Sequence, residues 1–138
     1  MKTNYILALD ELGILTKDVT GEFSNGTIIL KGDLASGKTT FVKKMAKELG
    51  YHEDVTSPTF SLQQCYGNAI FHYDIYNHGL EHFISLGMLE ELERKGIHFV
   101  EWGNDELERV LKSAGLEVMS IEIKKISNYK REYIVCTN

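Results

Sequence analysis

Residues 32–39 read Gly32-Asp33-Leu34-Ala35-Ser36-Gly37-Lys38-Thr39, a glycine-rich run that fits the pattern GxxxxGK[ST]. Glycines at this spacing let the backbone curl so that successive N–H groups point at phosphate oxygens, and the N-terminus of a following helix adds partial positive charge. The lysine of the pattern reaches the β- and γ-phosphates, and the next hydroxyl binds Mg²⁺, which prefers oxygen ligands. The run therefore predicts a nucleotide phosphate site in which Lys38 binds phosphate and Thr39 binds the metal.

The segments on either side of this run fit a strand, a loop and a helix in succession. Before it, Thr27 to Leu30 is a short β-branched stretch typical of a buried strand. After it, apolar residues recur at helical spacing from Thr39 to Leu49, and Gly50 is placed to end that helix. The alternative is a plain glycine-rich turn, but such a turn needs neither two glycines at this spacing nor the lysine–threonine pair.

Composition narrows the class of protein. The 138 residues are 43% hydrophobic and 25% charged, which predicts one soluble domain over residues 1–138. A formal charge of −5 argues against an electrostatic grip on nucleic acid over the whole surface. No apolar run approaches a membrane span, so we expect no membrane partner. Two distant cysteines, Cys65 and Cys136, and the absence of a signal-like apolar start predict a reduced, cytoplasmic location.

Periodicity predicts strands and helices in alternation at the front of the chain and strands at its end. The predicted strands outside the loop unit are Thr3–Leu9, Ser61–Tyr66, Ile70–Tyr76, Ile97–Trp102, Leu116–Ile126 and Glu132–Thr137. The predicted helices are one carrying Leu12, Leu15, Val19 and Phe23, one over Leu80–Lys95 in two pieces around Gly87, and one over Asp105–Ser113. Val55 to Phe60 is too short and too punctuated for a long element.

These elements predict an α/β fold: a three-layer P-loop NTPase-like domain with a mixed parallel and antiparallel sheet. Gly67-Asn68 is a hairpin signal, so the strands beside it are expected to pair antiparallel. The apolar parity shifts within Leu116–Ile126, which indicates either a bulge or a strand buried on both faces. Parallel strands in the middle would put the ligand at their carboxyl ends.

Hydrolysis needs a carboxylate to hold Mg²⁺ or its water, and a group that orients the attacking water. Asp74 and Glu101 fit these tasks because each closes an apolar strand and so falls on the ligand side of the sheet. The alternatives are a turn or cap role for Asp74 and an exposed strand-end charge for Glu101. The pattern leaves open which of the two binds the metal and which positions the water.

Three other features are weaker signals. The hydroxyl-rich segment Thr56-Ser57-Pro58-Thr59 could close over the γ-phosphate as a switch, or could be a stiff entry to a strand. Trp102 is either a ligand or partner contact or an ordinary sheet-edge aromatic. His78 and His82 have the spacing of a shared metal but lack a third ligand at a recognisable interval, and His72 is interpreted as a strand residue that faces the core or the sheet surface.

Four segments together resemble one family. They are GDLASGKTTFVKKMAKELG at 32–50, VTSPTFSL at 55–62, FHYDIY at 71–76 and IHFVEW at 97–102. In this order they resemble the TsaE (YjeE) family of bacterial ATPases, and the likeness extends to Arg131. The resemblance implies a weak Mg²⁺-dependent ATPase that supports threonylcarbamoyladenosine (t6A) formation on tRNA. It would act with a TsaD–TsaB complex that performs the transfer, and it would meet tRNA only within that complex.

The resemblance also assigns expected roles to positions of this chain. Glu101, Asp74 and Lys38 are the expected catalytic residues, and Thr39, Asp74 and Glu101 are the expected Mg²⁺ ligands. The expected ATP contacts are Leu34, Ala35, Ser36, Gly37, Lys38, Thr39, Thr40, Ser57, Thr59 and Trp102.

The chain departs from the family pattern at three places. Ala35-Ser36 stands where the family has Gly-Ala, Asn77 where an arginine is common, and Gly103 where a proline is usual. We expect these changes to affect hydrolysis and partner docking more than nucleotide binding.

Two other functions remain as alternatives. A small P-loop kinase would recruit several lid arginines, whereas Arg94, Arg109 and Arg131 are scattered along this chain. A nucleotide-gated binding module with negligible turnover is the second alternative.

Overall fold

A mixed sheet of seven strands organises the protein, whose structure is a computed structural model describing residues 1–33, 35–53, 55, 63–76 and 79–137. The strands are β1 (Lys2–Ala8), β2 (Gly26–Lys31), β3 (Gln63–Tyr66), β4 (Ile70–Asp74), β5 (Ile97–Glu101), β6 (Val118–Lys125) and β7 (Lys130–Cys136). Their order is β1-β7-β6-β2-β5-β4-β3. The four strands β6, β2, β5 and β4 run parallel, and the flanking strands pair antiparallel. The predicted mixed sheet and the β3–β4 hairpin are confirmed.

Helices cover both faces of this sheet. They are α1 (Leu12–Glu22), α2 (Lys38–Glu48), α3 (Gly79–Ser85), α4 (Met88–Glu91) and α5 (Asp105–Ser113), and a short 3₁₀ turn at Leu9–Glu11 precedes α1. Helices α1 and α2 pack on one face, where Phe41 meets Phe99 of β5 edge to face. Helices α3, α4 and α5 cover the other face, where Phe83 meets Tyr73 of β4. The predicted three layers are therefore present.

Several elements end earlier than their sequence patterns predict, and strand β4, which stops at Asp74 rather than Tyr76, is one of them. Helix α4 stops at Glu91, because the amides of Glu93 and Arg94 bond to carbonyls only three residues back and tighten the chain into turns. Strand β5 stops at Glu101, because Trp102 adopts a left-handed backbone with φ of 66°.

The structure of strand β6 explains why the apolar positions change parity along its sequence. Its register runs without interruption against β2 and against β7, so the bulge alternative is wrong. Its first four residues are all buried, and the strand is covered on both faces.

The carboxyl ends of the four parallel strands meet at one edge of the sheet. The loop after β2 leads directly into α2 at this edge, and β4 and β5 end beside it at Asp74 and Glu101. No helix in the part of the chain that the structure describes has both the length and the apolar character to cross a membrane.

Candidate nucleotide site

A cleft of about 330 Å³ lies at the carboxyl ends of β2, β4 and β5, and we call it the main cleft. It is lined by Ala35, Ser36, Gly37, Lys38, Thr39, Thr40, Asp74, Glu101, Trp102 and Arg131. Of the residues that the sequence assigns to the site, only Leu34, Ser57 and Thr59 are missing from this lining, and they lie outside the described residues, as do Asn77 and His78. The structure thus brings together residues from four separate segments of the chain.

The phosphate loop depends on two glycines for its shape. Gly37 precedes α2 with φ of 112°, a conformation that favours glycine. Gly32 has φ of 149°, and a Cβ there would lie 2.6 Å from Ser36 Oγ and 2.7 Å from the Ile123 carbonyl oxygen. Ala35 also has a positive φ, 62°, although it carries a Cβ. The departure from the family pattern at Ala35 therefore falls on a left-handed position that glycine would occupy with less strain.

Lys38 lies at the centre of the loop with only 5% of its surface exposed. Its Nζ donates to the carbonyl oxygens of Gly32, at 2.7 Å, and Asp33, at 2.9 Å. The same Nζ lies 3.9 Å from the centroid of the Trp102 ring, within the range of a cation–π contact. Burial lowers the pKa of Lys38, and nearby carboxylates, Glu101 first among them, oppose that shift. The amine is thus desolvated and held beside the place where phosphate oxygens would lie.

Glu101 connects the loop to the sheet. Its side chain is nearly fully buried, and its Oε2 accepts a hydrogen bond of 2.9 Å from Thr39 Oγ1. The same oxygen lies 2.5 Å from His72 Nε2, and since a carboxylate only accepts, His72 donates this bond. The Tyr66 hydroxyl lies 2.8 Å from the other ring nitrogen of His72. These partners compensate a carboxylate that burial alone would destabilise.

The contact between His72 and Glu101 is absent from the sequence interpretation. His72 is buried inside the sheet, as expected, but its role beside Glu101 was missed. The one sequence feature that points to this role of His72 is the two-residue period of a strand, which puts His72 and Asp74 on the same face of β4. That period indicates a shared face, but it does not identify the partner on the neighbouring strand.

Asp74 faces the main cleft and also shapes the turn that follows. It stands opposite Glu101 in the register of β4 and β5, and its Oδ1 accepts from the backbone N–H of Tyr76 at 2.9 Å. The ring of Tyr76 contacts Trp102 with 4.5 Å between centroids. The turn interpretation and the ligand-face interpretation of Asp74 are therefore compatible. Trp102 lines the cleft, and its ring contacts Lys38 and Tyr76.

Arg131 is a component of the site that the sequence interpretation overlooked. Its Nε donates to the Ser36 carbonyl oxygen at 3.0 Å, and its Nη1 donates to the carbonyls of Ser127 and Lys130. Grouping it with the scattered arginines was wrong, because the fold carries it 95 positions back to the phosphate loop. Arg94, by contrast, lies over the Phe71 ring, away from the cleft. No local pattern around Arg131 signals this distant contact.

The donor set fits a magnesium nucleotide. Thr39, Asp74 and Glu101 offer hydroxyl and carboxylate oxygens, which Mg²⁺ prefers. Among the described residues, no three His, Cys, Asp or Glu side chains cluster as a metal site. Mg²⁺ is typically bound by one or two carboxylates together with the phosphates of a nucleotide.

Comparison with known proteins decides the family. A family model described as threonylcarbamoyl adenosine biosynthesis protein TsaE matches residues 8–133. The chain belongs to the TsaE family. A TsaE protein of Treponema pallidum, named for tRNA threonylcarbamoyladenosine biosynthesis, is 36% identical over 78% of this chain and 79% of its own length. The protein of the same name from Bacillus subtilis is 33% identical over 73% of this chain and 70% of its own length.

A solved structure has the same fold as this TsaE-family chain. The crystal structure of Bacillus subtilis YdiB superposes with a TM-score of 0.73 at 26% identity. The match covers 99% of this chain and 86% of YdiB. Together the comparisons confirm the family resemblance and the mixed-sheet α/β fold.

Proposed function

We propose that this TsaE-family protein binds and hydrolyses ATP with Mg²⁺, and that it supports t6A formation on tRNA as a nucleotide-dependent switch for a TsaD–TsaB complex. The observation that carries the proposal is the hydrogen bond between Thr39 and Glu101. It couples the phosphate loop to a buried carboxylate at a strand end, in the same cleft as Lys38 and Asp74. Family membership supports the link to tRNA modification.

The reaction is attack by water on the γ-phosphorus of ATP. The bond from that phosphorus to the bridging oxygen breaks, ADP leaves with the bridging oxygen, and inorganic phosphate takes up the proton that the water releases. Magnesium, when bound with ATP, neutralises charge that develops on the β- and γ-phosphate oxygens. Lys38 adds its positive charge to the same oxygens, and its burial strengthens that interaction.

The contacts of the two carboxylates suggest different roles. Glu101 accepts a hydrogen bond from Thr39, whose hydroxyl would bind Mg²⁺, so Glu101 would help to hold the metal. Asp74 lies one strand further from the loop and lines the same cleft. We assign Asp74 to the attacking water, which it orients and whose proton it accepts for transfer to phosphate.

A matched pair of isosteric variants separates these roles. Glu101→Gln is expected to raise the Mg²⁺ concentration for half-maximal ATPase activity by about tenfold or more. Asp74→Asn is expected to lower kcat by about 10²–10⁴-fold while the Mg²⁺ requirement stays near that of the wild type. Phosphate release measured across a Mg²⁺ titration gives both values. Reversal of the two phenotypes would exchange the roles, and normal kinetics in both variants would refute an ATPase centred here.

The partner role needs a separate test. ATP hydrolysis is measured with and without TsaD–TsaB and tRNA, and the Asp74→Asn variant serves as the control for contaminating ATPases. Stimulation by the complex supports the proposal. Transfer of phosphate to a small acceptor would instead indicate the kinase, for which the cleft offers only Arg131 of the chain's three arginines. Nucleotide binding without turnover, even with the complex present, would indicate a binding module.

A further inference from the structure

A set of hydrogen-bonded side chains leads from the edge strand β3 to the main cleft, and we call it the Tyr66 network. Its members are Tyr66 on β3, His72 on β4, Glu101 on β5 and Thr39 at the start of α2. The Tyr66 hydroxyl lies 2.8 Å from His72 Nδ1, and Glu101 Oε2 joins His72 Nε2 to Thr39 Oγ1. The first three side chains are each at most 4% exposed, so water does not compete for these bonds.

We propose that Tyr66 is a positioning residue for the metal that accompanies the nucleotide: it fixes the ring of His72, which in turn fixes the carboxylate of Glu101. The role of Tyr66 rests on the proposed function, because it assumes that Glu101 helps to hold Mg²⁺. Tyr66 is not among the residues that line the main cleft. Its hydroxyl therefore acts on the metal only through His72.

The orientation of the His72 ring depends on the partners of both its nitrogens. His72 donates through Nε2 to Glu101, and a ring turned by half a revolution about its Cβ–Cγ bond would put carbon atoms in place of both nitrogens. The Tyr66 hydroxyl opposes this turn, because it can donate to Nδ1 or accept from it but can do neither with a carbon atom. Removal of the hydroxyl therefore removes one of the two hydrogen bonds that fix the ring.

Three kinds of contact hold Tyr66 itself in place. Its hydroxyl lies 2.9 Å from Gln64 Oε1, and its ring packs on that of Tyr51 with 5.3 Å between centroids. Its backbone stands opposite Ile70 in the antiparallel pairing of β3 and β4. A side chain fixed by strand pairing, ring packing and a polar contact is suited to orienting its neighbour.

The network leaves one oxygen of Glu101 for a cation. The bonds from His72 and Thr39 both end on Oε2, and no residue in the part of the chain that the structure describes donates to Oε1. Because Glu101 lines the main cleft, Oε1 is available to a cation there. Loss of an outer partner of a metal-binding carboxylate typically lowers metal affinity about 10–100-fold. Tyr66 lies one residue further out than His72, so the loss of its hydroxyl should have a smaller effect.

The other face of the sheet provides a matched control. The Tyr73 hydroxyl lies 2.8 Å from His98 Nδ1, which is the same contact at the same distance as in the Tyr66 network. Tyr73 is fully buried. His98 Nε2, however, donates to the Arg94 carbonyl oxygen, away from the main cleft. Tyr73→Phe therefore removes a buried hydroxyl from a histidine Nδ1 without affecting the carboxylates of the cleft.

Calorimetric titrations with ATP, in Mg²⁺ and in EDTA, test the role of Tyr66 on the wild type, Tyr66→Phe and Tyr73→Phe. Tyr66→Phe is expected to weaken the binding of ATP·Mg²⁺ by about three- to tenfold, because the carboxylate that holds the metal loses its orientation. Its affinity for ATP in EDTA should equal that of the wild type. Tyr73→Phe should keep both affinities, although it also loses a buried hydroxyl. If Tyr66 only stabilised the fold, the two variants would bind alike.

A second pair of measurements tests whether Tyr66 acts through His72. Nitrogen NMR of the imidazole rings in the protein without nucleotide should show the hydrogen of His72 fixed on Nε2 in the wild type. In Tyr66→Phe it should exchange between the two ring nitrogens, and His72→Phe assigns the signal. Tyr66→Phe added to His72→Phe should cause no further loss of affinity for ATP·Mg²⁺, because the path through His72 is already broken.

Each contrary result has a distinct meaning. If Tyr66→Phe keeps the wild-type affinity for ATP·Mg²⁺, or loses as much affinity in EDTA, Tyr66 does not position the metal ligand. Additive losses in the double variant, or an unchanged His72 spectrum in Tyr66→Phe, would overturn a path through His72. An equal loss in Tyr73→Phe would reduce the effect of Tyr66 to stability. If the wild type binds no ATP, or binds it no better with Mg²⁺ than in EDTA, the proposed function fails and the role of Tyr66 fails with it.

Discussion

Two buried histidines, one on each face of the central sheet, differ in what they contact. His72 on β4 and His98 on β5 are both fully buried, and each stands opposite a phenylalanine in the register of these strands. His72 faces α1 and α2 and donates to the carboxylate of Glu101 in the main cleft. His98 faces the other helical layer and contacts no carboxylate in the described bonds.

Both ring nitrogens of His98 have hydrogen-bond partners away from the main cleft. Its Nε2–H donates to the Arg94 carbonyl at 2.8 Å, which leaves Nδ1 to accept from the Tyr73 hydroxyl at 2.8 Å. The Gln63 amide donates in turn to the Tyr73 oxygen, and the His98 ring stacks on Phe71. Burial lowers the pKa of His98, and the neutral ring satisfies each of these bonds. This network stabilises the fold, and through the Gln63 amide it reaches the carboxylate of Glu91 rather than the main cleft.

Burial therefore does not distinguish a histidine that only stabilises the fold from one that contacts a residue of the main cleft. The partner distinguishes them, because a bond that ends on a cleft carboxylate can affect the ligand, whereas a bond between neutral groups affects only stability. We therefore expect substitutions at the two histidines to separate into an effect on turnover and an effect on folding.

Among the substitutions that compare the two faces of the sheet, the largest effect is expected at His72. His72→Phe removes the donor to Glu101, so the carboxylate loses its orientation, and kcat for ATP should fall about 10–100-fold. His72→Gln, which keeps an N–H donor, should restore part of the rate. The control is His98→Phe, whose kcat should stay within about twofold of the wild type at a temperature where it is folded. Equal losses of kcat in the two phenylalanine variants would remove the distinction between the two faces.

The next effect is on stability, at His98. His98→Phe leaves the Tyr73 hydroxyl and the Arg94 carbonyl without their partner, so the free energy of unfolding should fall by about 1–3 kcal/mol. Urea denaturation followed by circular dichroism measures this change. An unchanged midpoint would mean that the network on this face contributes nothing to the fold.

The same histidine should give stability a dependence on pH. Because the folded state lowers the pKa of His98 below its ordinary value of 6.5, the unfolded chain binds more protons in the window just below that pH. Stability is therefore expected to be complete above pH about 6.5 and to decline as the pH falls below it. His98→Phe should show a smaller loss of stability between pH 7.5 and pH 5 than the wild type. An equally steep loss in both would assign the dependence to other groups.

The smallest effect is expected in the phosphate loop, on the same side of the sheet as His72. Ala35→Gly relieves a left-handed backbone that costs about 1–2 kcal/mol with a Cβ, but it adds about 0.4–1 kcal/mol of unfolded-state entropy. The net result should be a gain in stability between zero and about 1.6 kcal/mol, seen as a slightly higher Tm. A lower Tm would show that the Cβ of Ala35 makes a favourable contact that outweighs the strain.

The sequence predicts the outline of the fold because its signals are local. The phosphate loop, the glycines that end helices and the two-residue period of the strands each act within a few positions. They suffice to put Asp74 and Glu101 at the ends of strands. Helix ends are predicted less well, because the tightening of the chain into turns after α4 has no distinct pattern in the sequence.

The parts of the site that sequence analysis missed depend on distant partners. His72 meets a carboxylate that lies 29 positions further along the chain, and Arg131 meets a carbonyl 95 positions back. Neither contact has a spacing that recurs by necessity, because strand order and loop path decide it. The roles assigned to Ser57 and Thr59 stay predictions, since these residues lie outside those that the structure describes.

The central claim is that the main cleft binds a magnesium nucleotide through Lys38. A calorimetric titration of ATP·Mg²⁺ into the wild type and into Lys38→Ala tests it most directly, with circular dichroism to show that the variant is folded. The account predicts saturable binding to the wild type and a loss of affinity of at least about tenfold in the variant, because the alanine removes a charge-assisted contact to phosphate. Equal affinity in two folded proteins would contradict it.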